Sequence, residues 1–262
     1  MECRDGHIIE RQRLPSPNPN IHLYELTYLS KGLKVKGLLA EPKNVGKYDG
    51  FLYLRGGIKN VGKVRVGRIV QFASEGFVVM APFYRGNQGG EGNEDFAGND
   101  RHDAVASYRV LEQLESVHED RIHVFGFSRG GVMALFTGII EHNVKSVVTW
   151  GGVSDMTLTY NERIDLRRML KRVIGGTPNK YPDRYKIRTP LFMLEQIHAP
   201  ILIIHGKNDS NVTIQHAYRL ENRLKELNKS VTTWYFDEYT HYFPPAENRK
   251  IVKRLTEWMK NQ

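Results

Sequence analysis

The chain has 262 residues, enough for one α/β domain that buries its core without a disulfide or a structural metal. Its 40% apolar and 26% charged residues exclude a disordered or fibrous chain. The net charge of +9 comes from Lys and Arg spread along the sequence, with no zinc-finger or RNP-type signature. A solvated basic exterior is therefore expected, and no nucleic-acid partner.

Residues 1–20 are polar and interrupted by Pro15, Pro17 and Pro19, so they read as an irregular leader. They hold the single cysteine, Cys3, and no apolar h-region. No membrane-length apolar run follows. The expected location is the cytoplasm, with no membrane partner. Residues 21–262 read as a single domain.

His22–Leu29 and Lys34–Ala40 predict two strands around a turn at Ser30-Lys31-Gly32. Compact apolar runs follow at Phe51–Leu54, Phe77–Met80, Ile122–Phe125, Ser146–Thr149, Ile201–Ile204 and Thr232–Phe236. Runs without polar alternation are what a sheet buried on both faces requires. Between them lie helical patterns, such as Ala104, Val105, Tyr108, Leu111 and Leu114. The alternation predicts a mostly parallel, eight-stranded sheet with helices on both faces. From 151 to 199 no strand is evident, only helix-like stretches over Leu158–Ile174 and a turn at Gly175–Pro178. A long excursion at the carboxyl end of a strand often lines a site.

The chemistry centres on Gly126-Phe127-Ser128-Arg129-Gly130-Gly131, between a predicted strand and a predicted helix. That context gives G-x-S-x-G its meaning: the sharp turn lifts the serine hydroxyl above the sheet edge, and the helix start presents backbone N–H groups. Ser128 needs a base. Of ten histidines, His241 stands in a loop after the last strand, where such sheets place their chemistry. Asp209 follows the preceding strand and can orient it; Asp237, nearer in sequence, is the competing acid. The order Ser128, Asp209, His241 is that of an α/β hydrolase. Developing oxyanion charge needs donors. The Arg129 amide is one, and Gly57 of Arg55-Gly56-Gly57 is chosen as the second, with Gly56 as the alternative. Substrate contacts are expected from the loop beginning at Tyr84 and from Tyr160 and Phe192 on the excursion.

Taken in order, these segments resemble the catalytic domain of the prolyl oligopeptidase family over about residues 30 to 260. The carriers are Tyr84-Arg85-Gly86 with the glycines after it, Gly126–Gly131, Gly175-Gly176-Thr177-Pro178, and His205-Gly206-Lys207-Asn208-Asp209 through Val212. The resemblance implies the triad Ser128, Asp209, His241 and the oxyanion glycine Gly57. Arg55 stands where the family commonly has His or Tyr, and Ile58 where it has Pro, so the oxyanion hole is expected to rely on backbone donors. About 20 residues precede the first expected strand, too few for the propeller of the long members, and a more open site is expected.

These readings imply a serine hydrolase acting through an acyl-enzyme, without metal or organic cofactor. Its partner would be a small ester, or alternatively a short peptide. A non-catalytic binding protein on the same scaffold is the competing class; such a module gains nothing from three triad residues in order.

Overall fold

The structure, a computed structural model, describes residues 4–262; Cys3 lies outside them. Nine strands form one sheet: β1 (Ile8–Leu14), β2 (Ile21–Ser30), β3 (Leu33–Pro42), β4 (Tyr48–Leu54), β5 (Phe77–Pro82), β6 (Val117–Phe127), β7 (Ser146–Trp150), β8 (Ile201–Gly206) and β9 (Val231–Phe236). Their spatial order is β1-β2-β3-β5-β4-β6-β7-β8-β9. The β1-β2, β2-β3 and β3-β5 pairs are antiparallel, and β5 through β9 run parallel.

Alternation along the central strands explains both covered faces. Phe51 and Tyr53 of β4 pack on one side with Val79 and Ala81 of β5, while Leu52 and Leu54 pack on the other with Val78 and Met80. The first side is closed by α1 (Val66–Ser74), through Ile69 and Phe72, and by α8 (Pro245–Lys260), through Val252 and Leu255. The second is closed by α2 (Arg101–Glu112), α3 (Gly130–Ile140) and α7 (Ile214–Glu226), through Leu111, Leu135 and Leu220. Every residue of β5 and of β7 is buried, which is why neither shows polar alternation.

The sheet has one strand more than the sequence pattern predicts. β1 lies inside the stretch read as an irregular leader and pairs with β2. It is an edge strand, and Glu10, Arg11, Gln12 and Arg13 are all exposed. Charged, solvated edges discourage pairing between molecules and leave no hydrophobic period to read. Arg11 is held by Glu41 and lies over the Tyr24 ring at 3.8 Å. The β2–β3 hairpin closes through Lys31 (φ 48°) and Gly32 (φ 76°), and two left-handed residues match the turn to the strand twist.

The excursion also differs in detail. It is broken into α4 (Met156–Glu162), α5 (Arg167–Leu170), a π turn at Lys171–Gly175 and α6 (Pro182–Lys186). Asp155 caps α4 by accepting from the Thr157 and Leu158 amides. Among the described residues, no helix is long and apolar enough to cross a membrane.

Candidate active site

The turn between β6 and α3 leaves little freedom. A Cβ on Gly126 would lie 2.1 Å from Gly130 O, and one on Gly130 would lie 2.1 Å from Leu54 O. With both neighbours forced close, Ser128 adopts φ 57°. A non-glycine residue held left-handed is the strained geometry expected of a nucleophile elbow. The Ser128 amide donates to Trp150 O at 3.1 Å, and its carbonyl accepts from the Gly131 and Val153 amides, each at 2.9 Å. The side chain is half-buried.

Asp209 follows β8 in a turn closed by its own carboxylate, whose Oδ1 accepts from the Asn211 and Val212 amides, each at 2.9 Å. Its Oδ2 accepts from His241 Nδ1 at 2.7 Å. A carboxylate can only accept there, so Nδ1 carries the proton and Nε2 keeps its lone pair. The loops bearing these two residues are joined directly: the Lys207 amide donates to Phe236 O and the Asn208 amide to Tyr239 O. Asp237 makes no described hydrogen bond with His241. It sits at the surface with a side chain 78% exposed, paired with Lys207 at 2.6 Å.

The end of β7 lies beside both Ser128 and His241. Trp150 O accepts from the Ser128 amide, and the next residue, Gly151, donates to Ile204 O at 2.8 Å. A Cβ on Gly151 would lie 3.2 Å from both Asp209 Oδ2 and His241 Nδ1. The His241 ring packs against Phe127 at 4.8 Å between centroids and against Tyr242 at 5.0 Å. Ser128, Asp209 and His241 therefore share one sheet edge. Among the described hydrogen bonds, the Asp209–His241 link is present and a Ser128–His241 link is not.

Gly56 packs against Ser128: a Cβ there would lie 2.6 Å from Ser128 Cβ and 3.1 Å from its Oγ. Gly57 follows with φ 65°. Arg55 turns into the protein, toward Glu94 and Phe83. Its guanidinium is buried, donating to Gly56 O at 3.0 Å, Phe83 O at 2.8 Å and Glu94 Oε1 at 2.7 Å. Arg129, also buried, reaches Glu94 Oε1 at 2.8 Å and Asp100 Oδ2 at 3.3 Å. Two guanidinium cations and two carboxylates thus neutralise one another. Burial alone would raise Glu94, but Arg129 and Arg55 hold its carboxyl below the usual range. Burial pushes Asp100 up to about 6, against the pull of Arg129.

Tyr84 is fully buried, its ring stacked against Arg55 at 4.9 Å and Arg129 at 4.8 Å. Its backbone is left-handed, with φ 63°, and its hydroxyl lies 3.5 Å from Arg55 O. Tyr160 is half-buried, edge-on to Tyr185 at 5.7 Å. Phe192 is exposed, beside the Lys186 ammonium at 5.5 Å. Neither makes a described contact with the three edge residues.

The sequence reading left three buried neighbours of the site, His205, Glu94 and Asp100, out of it. His205 is buried beneath Asp209, its Nε2 at 2.8 Å from Val212 O and 3.6 Å from Asp209 Oδ2. Burial keeps its imidazole below the usual value. The carboxylates Glu94 and Asp100 are the other omission. The available signal was an arginine beside each glycine turn, Arg55 and Arg129, with acids in a segment that has no helical period. Among the described residues, no group of three His, Cys, Asp or Glu side chains is placed to hold a metal ion.

Comparison with known proteins identifies the family and the fold. The family model of the prolyl oligopeptidase family matches residues 64–262. The chain is 64% identical to the uncharacterized peptidase YtmA of Bacillus subtilis (strain 168), over 97% of this chain and all of that one. Acetyl xylan esterase 1 from Thermoanaerobacterium sp. JW/SL YS485 shares the fold, with a TM-score of 0.75 at 16% identity, over 95% of this chain and 87% of the esterase. The acylaminoacyl peptidase of Pyrococcus horikoshii does too, at 0.77 and 21% identity, over 97% of this chain. This chain covers 49% of that peptidase, about half its length. With an elbow serine, a carboxylate-bound histidine and the family match across most of its length, the chain belongs to the prolyl oligopeptidase family and is a serine hydrolase.

Proposed function

We propose that Ser128 is the nucleophile, His241 the general base and Asp209 the residue that orients it, in hydrolysis of a small ester. The observation that carries this reading is the 2.7 Å contact between His241 Nδ1 and Asp209 Oδ2, on the sheet edge that bears left-handed Ser128. It leaves Nε2 free to take the hydroxyl proton.

Ser128 Oγ attacks the acyl carbon as His241 takes its proton. The tetrahedral oxyanion is held by the Gly57 and Arg129 amides. Collapse expels the alcohol, which receives the proton from His241, and leaves an acyl-serine. Water then enters by the same route: His241 deprotonates it, the acid is released and Ser128 is reprotonated. Asp209 stays ionised and keeps the imidazole in the working tautomer. Short peptides form the second reading, supported by the word peptidase in the name of the 64% identical relative. The cytoplasm remains the proposed location.

A fluorophosphonate probe tests the assignment. It should label the wild-type chain and fail to label Ser128→Ala, whose turnover should fall on the order of 10⁶-fold. Labelling of Ser128→Ala would move the nucleophile elsewhere. A panel of p-nitrophenyl esters beside aminoacyl p-nitroanilides separates the two substrate readings. Faster turnover of the anilides would replace the ester by the peptide.

A further inference from the structure

Glu94 belongs to none of the motifs that define the site, yet its enclosed carboxylate sits at the junction of two of them. Its Oε1 accepts from Arg55 Nη2 at 2.7 Å and from Arg129 Nη2 at 2.8 Å. Its Oε2 accepts from the Lys59 amide. Arg55 and Lys59 flank the loop that follows β4, and Arg129 follows Ser128. One side chain therefore ties together the two segments from which the oxyanion donors come, through the Lys59 amide and Arg55 side chain of one and the Arg129 side chain of the other.

The consequence is directional. Arg55 Nη1 donates to Gly56 O at 3.0 Å. None of the described peptide bonds is cis. In a planar trans peptide the carbonyl and the following N–H point opposite ways. Holding the Gly56 carbonyl against Arg55 therefore sets the direction of the Gly57 N–H. Arg55 cannot swing freely, because its Nη2 also donates to Phe83 O at 2.8 Å and its guanidinium lies over Tyr84. Arg129 is confined in the same way, by Asp100 and by the rings of Tyr84 and Phe96.

We propose that Glu94 is a positioning residue for this hydrolase, holding Arg55 and Arg129 so that the Gly57 and Arg129 amides keep the spacing a tetrahedral oxyanion requires. The proposal rests on the reading of those amides as the oxyanion donors. Such donors act on charge that develops in the transition state. Loosening them lowers kcat and leaves KM nearly unchanged.

Two variants test this. Glu94→Gln keeps an acceptor and removes the charge; Glu94→Asp keeps the charge one methylene short. For each, kcat and KM on a p-nitrophenyl ester are normalised to active sites titrated with a fluorophosphonate. The affinity of a trifluoromethyl ketone, whose serine adduct bears an oxyanion, is measured beside them. Glu94→Gln is expected to lower kcat per active site about 100-fold, as loss of one oxyanion donor does, and to weaken the ketone by a similar factor. Glu94→Asp should recover part of both. A purely structural role would reduce the titrated fraction and Tm while leaving kcat per site and ketone affinity intact, and that result overturns the proposal. Should Glu94→Gln fail to fold, Glu94→Asp and Arg55→Lys carry the same readout. Absence of label on wild-type Ser128 would overturn the hydrolase assignment and this proposal together. Normal labelling with unmoved kcat and ketone affinity would overturn the role of Glu94 alone.

Discussion

Two ionic clusters sit at opposite ends of β4, and they do different work with similar side chains. At the amino end, Arg121 grips Asp49 through two hydrogen bonds of 2.7 and 2.8 Å. His123 Nε2 lies 3.4 Å from the same carboxylate, and its Nδ1 is 2.8 Å from Ser146 Oγ. This cluster joins β4, β6 and β7 within the strands themselves, beside a shift of register between Asp49 and Gly50. At the carboxyl end, Glu94 and Asp100 hold Arg55 and Arg129. There the held backbone is far from regular. Lys59, Tyr84, Phe96, Ala97 and Ser128 all have positive φ, and the Lys59, Phe96 and Ala97 amides donate to those two carboxylates. Each such residue costs on the order of 1–3 kcal/mol. The amino-end cluster staples strands; the carboxyl-end cluster holds strained backbone at the edge that bears Ser128. Strain of this kind persists only where the surroundings over-determine it.

The comparison is sharpened most by the acid. Asp209→Asn should lower kcat about 10⁴-fold, because the imidazole would then be held in the wrong tautomer. Asp237→Asn, on an exposed side chain, should leave kcat within a few-fold; a side-by-side ester assay showing the reverse order would move the acid.

At the other end of β4, Asp49→Asn should leave kcat within twofold and lower stability by about 1–3 kcal/mol, as expected for hydrogen bonds to a charged group. The effect has a pH signature. Burial opposes ionisation of Asp49, but hydrogen bonds from His123 and Arg121 hold its carboxyl well below the usual range. Its contribution is present above the ordinary value near 3.9 and is lost as pH falls further. The Tm difference between wild type and variant should therefore narrow below about pH 4. A tenfold loss of kcat in this variant would end the distinction between the clusters.

The smallest expected effect concerns Asp100. Burial pushes it up to about 6, above the unfolded value, so the folded chain holds the proton more tightly. Its contribution is full below the ordinary carboxylate value and is lost as pH rises through about 6. Thermal melts between pH 4 and 7.5 should show a shallower decline of Tm in Asp100→Asn than in wild type. Equal slopes would remove the pH sensitivity assigned to the carboxyl-end cluster.

Much of the parallel sheet was legible because its strands are buried on both faces. Runs such as Phe77–Met80 and Ile201–Ile204 then carry an unbroken apolar signal. Ser128 was legible for a local reason: Gly126 and Gly130 are demanded by contacts within a few residues and by the neighbouring strand end. β1 was hidden because an exposed edge strand needs no apolar period. The full burial of Tyr84 was not legible, because a loop residue's burial depends on where its loop folds.

By itself the sequence determined the order of the parallel strands, the elbow and the residue types that can serve as nucleophile, base and acid. Those follow from periodicity, glycine spacing and chain order, which are local properties. Only the tertiary structure decided that Asp209 rather than Asp237 holds His241, and that Arg55 faces Glu94 instead of the substrate side. Each of those outcomes depends on residues far apart in the chain. Glu94 meets its arginines across 39 and 35 positions, and Asp209 meets His241 across 32. The closing of a parallel sheet brings such partners together, and no sequence window spans them.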